Sequence, residues 1–379
     1  MVAGEASGDL LAGLLLDGMR KHWPDFMAAG AAGIGGPEMA RQGFDAWWPS
    51  HTLSVHGYGW EVLRRYHEIL GIRKQLQQRM LDQRPTVFIG VDAPDFNLDL
   101  ECNLRAQGIK TVHFVCPSIW AWRPERVAKI RRSADHVLCL FPFEPALLEQ
   151  HGIGATYVGH PLASTIPLEV NRDAARTALG LQGSDRVLAI LPGSRTSEIR
   201  YLARPFFEAA KYVREVYPDI KLLLPAVPNL RTEIEQTAKE AGMLEHIQII
   251  TGQSHTVLAA CDVTLIASGT ATLEAALHKC PMVIAYRMGS LSWHLMHRKK
   301  LQPWVGLPNI LSQSFIVPEF LQDQATPEAL AHAVLQWFDD IGHQPAKIEH
   351  LRQQFQALHL SLRCDTPTLA SHAIAKVLG

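Results

Sequence analysis

Val263-Thr-Leu-Ile-Ala-Ser268-Gly269-Thr270-Ala-Thr-Leu-Glu274-Ala-Ala-Leu277 reads as a buried strand that breaks into a helix through three small residues. The first backbone N–H groups of a helix have no internal partner and carry the positive end of its dipole, so such a turn is a ready anion site. Glu274, about one helical turn further on, is placed to accept hydrogen bonds from sugar hydroxyls. The plainer alternative is that Ser268 and Thr270 only cap the helix. The neighbouring motifs decide between the two.

Working outward, short Val/Ile/Leu runs alternate with helical stretches on both sides of this junction. Arg186 to Leu191, Ile220 to Pro225, Ile247 to Thr251, Val263 to Ile266 and Met282 to Tyr286 are strand candidates in the second half. Thr86 to Val91, Lys110 to Val115 and His136 to Leu140 are strand candidates in the first. Such alternation predicts parallel strands with crossover helices, and a polar stretch from Pro167 to Gly183 separates two doubly wound units. The expected fold class is α/β, with two Rossmann-like domains facing across a cleft. The expected boundaries are an N-terminal domain over 1–165, a C-terminal domain over 166–345, and helices over 346–379 that pack back or meet a partner subunit. The turn at Gly4 follows only Met1-Val2-Ala3, so the first strand is expected to be stunted, its true start lying upstream or clipped; a buried parallel strand ordinarily takes about five residues.

Composition narrows the class. The chain has 379 residues, 47% apolar and 19% charged, with a formal net charge of -1. That is a globular sequence able to bury sizeable cores, and the total charge gives no indication of nucleic acid as a partner. The six cysteines form no Cys-x-x-Cys and mostly lie in apolar runs, as core thiols of a reducing compartment do. No run of about 18 apolar residues occurs, and Leu10 to Leu16 lacks the basic flank of a signal peptide, so a soluble or peripheral cytoplasmic protein is expected.

Two turns in the first half carry chemistry. Gly4-Glu5-Ala6-Ser7-Gly8-Asp9 opens a helix after the first strand, with glycines that allow close backbone approach and Ser7 able to cap. It lacks the Gly-x-Gly-x-x-Gly spacing of a dinucleotide site, which disfavours a nicotinamide or flavin cofactor. Gly90-Val-Asp92-Ala-Pro94-Asp95-Phe-Asn97 is sharper, because Asp92 ends an apolar strand where a carboxylate can act as general base. Capping of the next helix is assigned to Asp95.

In the second half, Leu191-Pro-Gly193-Ser-Arg195 ends a strand in a glycine turn, and Arg195 can neutralise a diphosphate bidentately. Two anion-directed turns on one sheet favour a nucleotide donor over chance capping. Arg287 ends another strand, and Leu307-Pro-Asn309 supplies a fixed amide near the same rim. His294 and His297 have helical spacing but no evident third ligand or Asp-x-Asp partner, so no metal site is expected.

The aromatic residues have two readings. Trp120 and Trp122 stand in the loop Pro117-Ser-Ile-Trp-Ala-Trp-Arg123-Pro124, followed by Arg126, Lys129, Arg131 and Arg132. Trp47, Trp48, Tyr58 and Trp60 precede a helix whose Val62, Tyr66, Ile69, Leu76 and Met80 share one face. That stripe is either core-facing or a membrane rim beside Arg64, Arg65, Arg73 and Lys74.

Taken together, Val2 to Asp9, Gly90 to Asn97, Pro117 to Arg123, Leu191 to Arg195, Ala267 to Glu274, Tyr286-Arg-Met288 and Leu307 to Asn309 resemble the lipid-A-disaccharide synthase family along essentially the whole chain. The resemblance implies a GT-B fold and transfer of 2,3-diacylglucosamine from its UDP derivative to 2,3-diacylglucosamine 1-phosphate (lipid X). The product is a β-1,6 disaccharide, formed with inversion and without metal or other cofactor. It also implies a Gram-negative enzyme, peripheral on the anionic cytoplasmic face of the inner membrane; a homodimer is a further expectation. Asp92 would then be the base. Arg195, Ser268, Gly269, Thr270, Glu274, Arg287 and Asn309 would bind UDP, with Gly252-Gln253 near the uracil by analogy. Glu5, Ser7, Gly8 and His160 would line the acceptor side, and Trp47, Trp48, Trp60, Trp120 and Trp122 would meet acyl chains or membrane. The alternative is another GT-B enzyme, a UDP-sugar epimerase or a transferase to a different lipid acceptor.

Overall fold

The apolar runs become parallel strands because the central ones are buried on both faces, as a sheet covered by crossover helices requires. The computed structural model describes residues 1–53, 60–121, 124–289, 293–294 and 301–379, with the backbone alone for Ala6 and residues 60–66. The chain forms two units, Met1–Ser164 with Ser361–Gly379, and Thr165–Leu360.

The first unit holds β1 (Val2–Ala3), β2 (Ala32–Gly35), β3 (Asp45–Pro49), β4 (Val87–Val91), β5 (Lys110–Phe114), β6 (His136–Cys139) and β7 (Ala155–Tyr157). They form one parallel sheet in the order β3-β2-β1-β4-β5-β6-β7. Side chains alternate across it. Ala3, Ile89, Val91, Val112 and Phe114 pack under helix Ala6–His22 and the last helix, Thr366–Leu378. Val2 and Phe88 face the other way, against Leu76, Met80, Phe96, Leu100 and Leu104. Leu76 and Met80 belong to helix Trp60–Gln83, so the described part of its apolar stripe is core-facing. Tyr58, Val62, Tyr66, Arg64 and Arg65 lie outside the described side chains.

The second unit holds β8 (Val187–Leu191), β9 (Lys221–Ala226), β10 (Ile247–Thr251), β11 (Val263–Ala267), β12 (Met282–Tyr286) and β13 (Glu319–Leu321). Its sheet is parallel, in the order β10-β9-β8-β11-β12-β13. The polar stretch before it contains a helix, Arg172–Ala178, pinned by the buried Arg176 to Asp262 at 3.1 Å.

Each sheet reverses its strand order once, between β1 and β4 and between β8 and β11. Open α/β sheets bind ligands outside the carboxyl ends of strands at such switch points. Among the described residues no helix is long and apolar enough to cross a membrane. Cys116, Cys139, Cys261 and Cys280 are buried thiols, as expected of core cysteines, while Cys102 and Cys364 are half-buried.

Candidate active site

At the switch point of the second unit, β11 passes through Ser268 and Gly269 into helix Thr270–Leu277. Among the described residues no side chain caps this helix. The Ser268 hydroxyl instead donates to Val305 O at 2.8 Å, and Thr272 Oγ1 donates to Gly269 O at 2.8 Å while accepting from Leu307 N at 3.2 Å. Gly269 and Thr270 are exposed, and a Cβ on Gly269 would meet no atom within 4 Å. The helix start therefore faces open space with its dipole uncapped. The capping-only alternative does not fit this geometry.

Glu274 is largely buried one turn along, its Oε2 3.8 Å from His255 Nε2. Burial holds its carboxyl above the ordinary value, opposed by the charge of His255. On the adjacent strand, the turn after β8 is built differently. Gly193, at φ 134°, leaves room for Glu198, whose Oε2 accepts from Ser194 N at 2.7 Å and Arg195 N at 3.3 Å. This carboxylate already occupies the helix start, a use of the N3 glutamate that the spacing Arg195-x-x-Glu198 signals. What the turn offers a ligand is the Arg195 side chain, 71% exposed and, among the described residues, paired only to Glu198 Oε1, at 3.1 Å.

The order β8-β11-β12 sets the Gly193, Ser268 and Arg287 turns side by side along one rim. The charges of Glu198 and Arg195 are felt by Tyr286 at the end of β12, whose hydroxyl is held above its ordinary value chiefly by burial. Arg287 is half-buried on this rim, and Met288 beside it is held by Gln322 through both its N–H (2.7 Å) and its C=O (3.0 Å). Gly252 and Gln253 form a left-handed turn after β10, at φ 68° and 56°.

Asn309 departs from expectation. It is fully buried, its Nδ2 donates to Val317 O and Glu319 Oε1, both at 2.8 Å, and its Oδ1 accepts from Ile316 N and Val317 N. The side-chain amide is thus fully used in holding the 305–319 loop and is not free on the rim. Glu319, which the sequence did not flag, completes that lock by accepting from Val305 N and Gly306 N, each at 2.9 Å.

At the switch point of the first unit, β4 ends in Asp92 and Ala93, both left-handed at φ 52° and 43°. Two such non-glycine residues in sequence cost on the order of 1–3 kcal/mol each. Asp92 N stays in the ladder with Phe114 O at 2.8 Å, and Asn97 Nδ2 holds Asp92 O at 2.8 Å. The Asp92 carboxylate is half-buried and makes no hydrogen bond or ion pair among the described residues. Asp95 does not cap, contrary to expectation. Ala93 occupies the cap position of helix Pro94–Ala106 without a side-chain bond, and the exposed Asp95 pairs with Arg126 at 2.5 Å.

The Gly4 turn lies directly beside it, with a Cβ on Gly4 falling 3.0 Å from Ala93 Cβ. Glu5 occupies the cap position of helix Ala6–His22 with no side-chain bond, and Glu5 and Ser7 are exposed. Gly8 is buried against β4, its site for a Cβ 3.5 Å from Val91 O. Asp9 accepts from Gly36 N, Glu38 N and Met39 N and so is structural.

The aromatic expectations divide. Trp120 turns inward, donating to the buried Glu144 at 3.0 Å and standing edge-on to Phe141 and Phe143. Burial pushes Glu144 up to about 7. His160 is buried on Phe141, accepts from Leu162 N at 3.3 Å and is lowered to about 4 by burial, so it is a neutral packed imidazole. Trp47 and Trp48 are half-buried on the core, and the Arg79 guanidinium covers Trp47 at 3.6 Å. Of the basic residues beyond the Trp120 loop, Arg126 and Lys129 are neutralised by Asp95 and Asp99. Trp122 and the side chain of Trp60 lie outside the described residues, as does His297. Among the described residues no group of three or more His, Cys, Asp or Glu is placed to hold a metal ion.

Comparison with known proteins places this architecture. The family model described as lipid-A-disaccharide synthetase matches residues 1–374. Lipid-A-disaccharide synthase of Albidiferax ferrireducens is 69% identical over 378 residues, covering 100% of this chain and 96% of that protein. The same enzyme of Verminephrobacter eiseniae is 65% identical, covering 100% and 97%. Among solved structures, UDP-GlcNAc 2-epimerase from Neisseria meningitidis superposes with TM-score 0.60 at 12% identity, covering 98% of this chain and 96% of that one. MurG of Acinetobacter baumannii gives 0.57 at 14% identity, covering 99% and 98%. At such identities these structures share the GT-B fold alone.

Proposed function

The chain belongs to the lipid-A-disaccharide synthetase family, and from this premise we propose that its two switch points divide one glycosyl transfer between them. The protein is a glycosyltransferase that makes the lipid A disaccharide, and its substrates are a lipid sugar nucleotide and a lipid acceptor. In finer terms, the donor is UDP-2,3-diacylglucosamine and the acceptor is 2,3-diacylglucosamine 1-phosphate. The 69% and 65% identical relatives favour this activity over an epimerase, whose likeness is one of fold.

Asp92 takes the proton from the acceptor 6-hydroxyl as that oxygen bonds to the anomeric carbon. The bond from that carbon to the diphosphate breaks, its electron pair leaves on UDP, and the linkage inverts to β. The uncapped start of helix Thr270–Leu277 and the Arg195 guanidinium stabilise the charge growing on the leaving group, without a metal. Glu274 holds the ribose, Arg287 supports the diphosphate, and Gly252-Gln253 borders the base. Met1–Ser164 thus supplies the base and acceptor surface at Glu5, Ser7 and Gly8, and Thr165–Leu360 supplies the donor site.

The observation that carries the proposal is the pairing of chemistry with topology. Among the described residues the Asp92 carboxylate at the β1/β4 reversal has no partner and the helix at the β8/β11 reversal has no side-chain cap. Because both substrates are acylated, we also assign the protein to the cytoplasmic surface of the inner membrane as a peripheral enzyme. Trp47 and Trp48 are the contact candidates. A homodimer is proposed as well, with the exposed Leu369 on helix Thr366–Leu378 as a contact candidate. The direct test is product formation from the UDP donor alone and with acceptor. Disaccharide and UDP appearing only with both is the expected result; UDP or an isomerised sugar without acceptor would indicate an epimerase.

A further inference from the structure

Beneath the Asp92 turn lies a group of buried polar side chains that the transfer just described does not use. Glu101, on helix Pro94–Ala106, and His113, on β5, are both fully buried and meet Oε1 to Nδ1 at 2.7 Å. Asn97, one turn earlier on the same helix, is also fully buried and donates to Asp92 O at 2.8 Å. Gly90, the cross-strand partner of His113, makes the space. A Cβ there would stand 2.1 Å from Glu101 Oε1 and 2.9 Å from Asn97 Cβ and Cγ.

Burial constrains the protons. An uncompensated charge is costly in such a place, so the pair is neutral overall, either carboxylate with imidazolium or carboxylic acid with imidazole. In the ion pair, and in the neutral form whose acid proton sits on Oε1, His113 Nε2 carries a hydrogen and Glu101 Oε2 accepts. Asn97 turns its amide hydrogens to backbone carbonyls, so its Oδ1 also accepts. These three atoms, Nε2, Oε2 and Oδ1, are buried with no protein partner among the described residues.

We propose that Asn97, Glu101 and His113, grouped in the space that Gly90 leaves beneath the Asp92 turn, are positioning residues for the reaction's base. The proposal rests on Asp92 being that base. A turn of two left-handed non-glycine residues persists only where its surroundings over-determine it. Asn97 supplies that constraint by holding the carbonyl of Asp92 itself, and the Glu101–His113 pair fills the space under Gly90 beside the Asn97 side chain. Burial holds the Glu101 carboxyl above its ordinary value, opposed by His113.

The test is steady-state kinetics on the full chain for Asn97→Ala, His113→Ala, Glu101→Gln and Asp92→Asn, with rates referred to folded protein from thermal melts. Asn97→Ala and His113→Ala are expected to lower kcat about a hundredfold, as an ångström of misplacement does, with KM for donor and acceptor unchanged. Glu101→Gln, whose amide can donate to His113 Nδ1 as the carboxylic acid would, is expected to retain most of kcat. Wild-type kcat in folded Asn97→Ala or His113→Ala, or a change confined to KM, would overturn the proposal while Asp92→Asn is inactive. Where one of the two alanine variants does not fold, the other carries the test. Full turnover by Asp92→Asn would remove the base assignment instead.

Discussion

The Ser268 hydroxyl donates to the carbonyl oxygen of Val305 at 2.8 Å, and so it does not cap the helix that begins two residues later. A residue type that ordinarily closes a helix start is turned aside to fasten a loop. Among the described residues the amides of that start carry no side-chain cap.

Gly269→Asp tests this directly. An aspartate at the cap position suits both the amides and the dipole, and a side chain there meets no protein atom within 4 Å. Thermal stability is expected to stay level or rise. UDP affinity measured by calorimetry is expected to fall at least about tenfold, or 1.4 kcal/mol. Undiminished affinity would mean that the diphosphate lies elsewhere.

Asn309→Ala separates a loop anchor from a ligand contact. Among the described residues it strands the C=O and N–H of Val317, while Glu319 Oε1 keeps Gly306 N and Ile316 N keeps Ser314 O. Each orphaned buried group costs about 1–3 kcal/mol, so a clear loss of stability in urea unfolding is expected, with activity falling alongside it. A variant of wild-type stability that no longer binds UDP would put the amide on the ligand after all.

Glu144 gives stability a signed pH dependence. Burial raises its carboxyl from 4.5 to about 7 in the folded protein, against the bonds from Trp120 and Phe141. The folded state therefore holds this proton more tightly than the unfolded chain, and the resulting stability, present below 4.5, is lost as pH rises through about 7. His160, lowered from 6.5 to about 4, acts in the opposite sense, its contribution being lost as pH falls through that window. Comparison with Glu144→Gln isolates the first effect. Between about pH 5 and pH 8 the wild type is expected to lose up to roughly 3 kcal/mol relative to the variant. Trp120 fluorescence is expected to titrate near neutrality only in the wild type. Parallel stability profiles would show that Glu144 is ionised throughout.

Much of this was legible in the sequence because buried parallel strands are written as apolar runs. β4, β5, β6 and β8 to β12 fall where Val, Ile and Leu cluster. The strands not anticipated lack that signature: β2 is Ala-Gly-Ile-Gly, β3 begins with an exposed Asp45 and ends in a proline, and the edge strands β7 and β13 have three residues each. The turns of the site were legible because their residue types face the carboxyl ends of strands. What those side chains touch was not. The bond of Ser268 to Val305, the closed hydrogen bonding of Asn309 and the inward turn of Trp120 each depend on a residue distant in sequence. Asn97 was quoted within a motif, yet nothing in its spacing shows that it holds the carbonyl of Asp92.

The central claim is that proton transfer and leaving-group binding are carried by different units, and Asp92→Asn tests it most directly. Asparagine tolerates the left-handed backbone at φ 52° but cannot take a proton at neutral pH. With UDP-2,3-diacylglucosamine and the acylated 1-phosphate acceptor, kcat is expected to fall by about 10²–10⁴, the usual worth of a general base. The UDP dissociation constant is expected to stay at its wild-type value. Wild-type turnover, or UDP affinity lost together with it, would contradict the account.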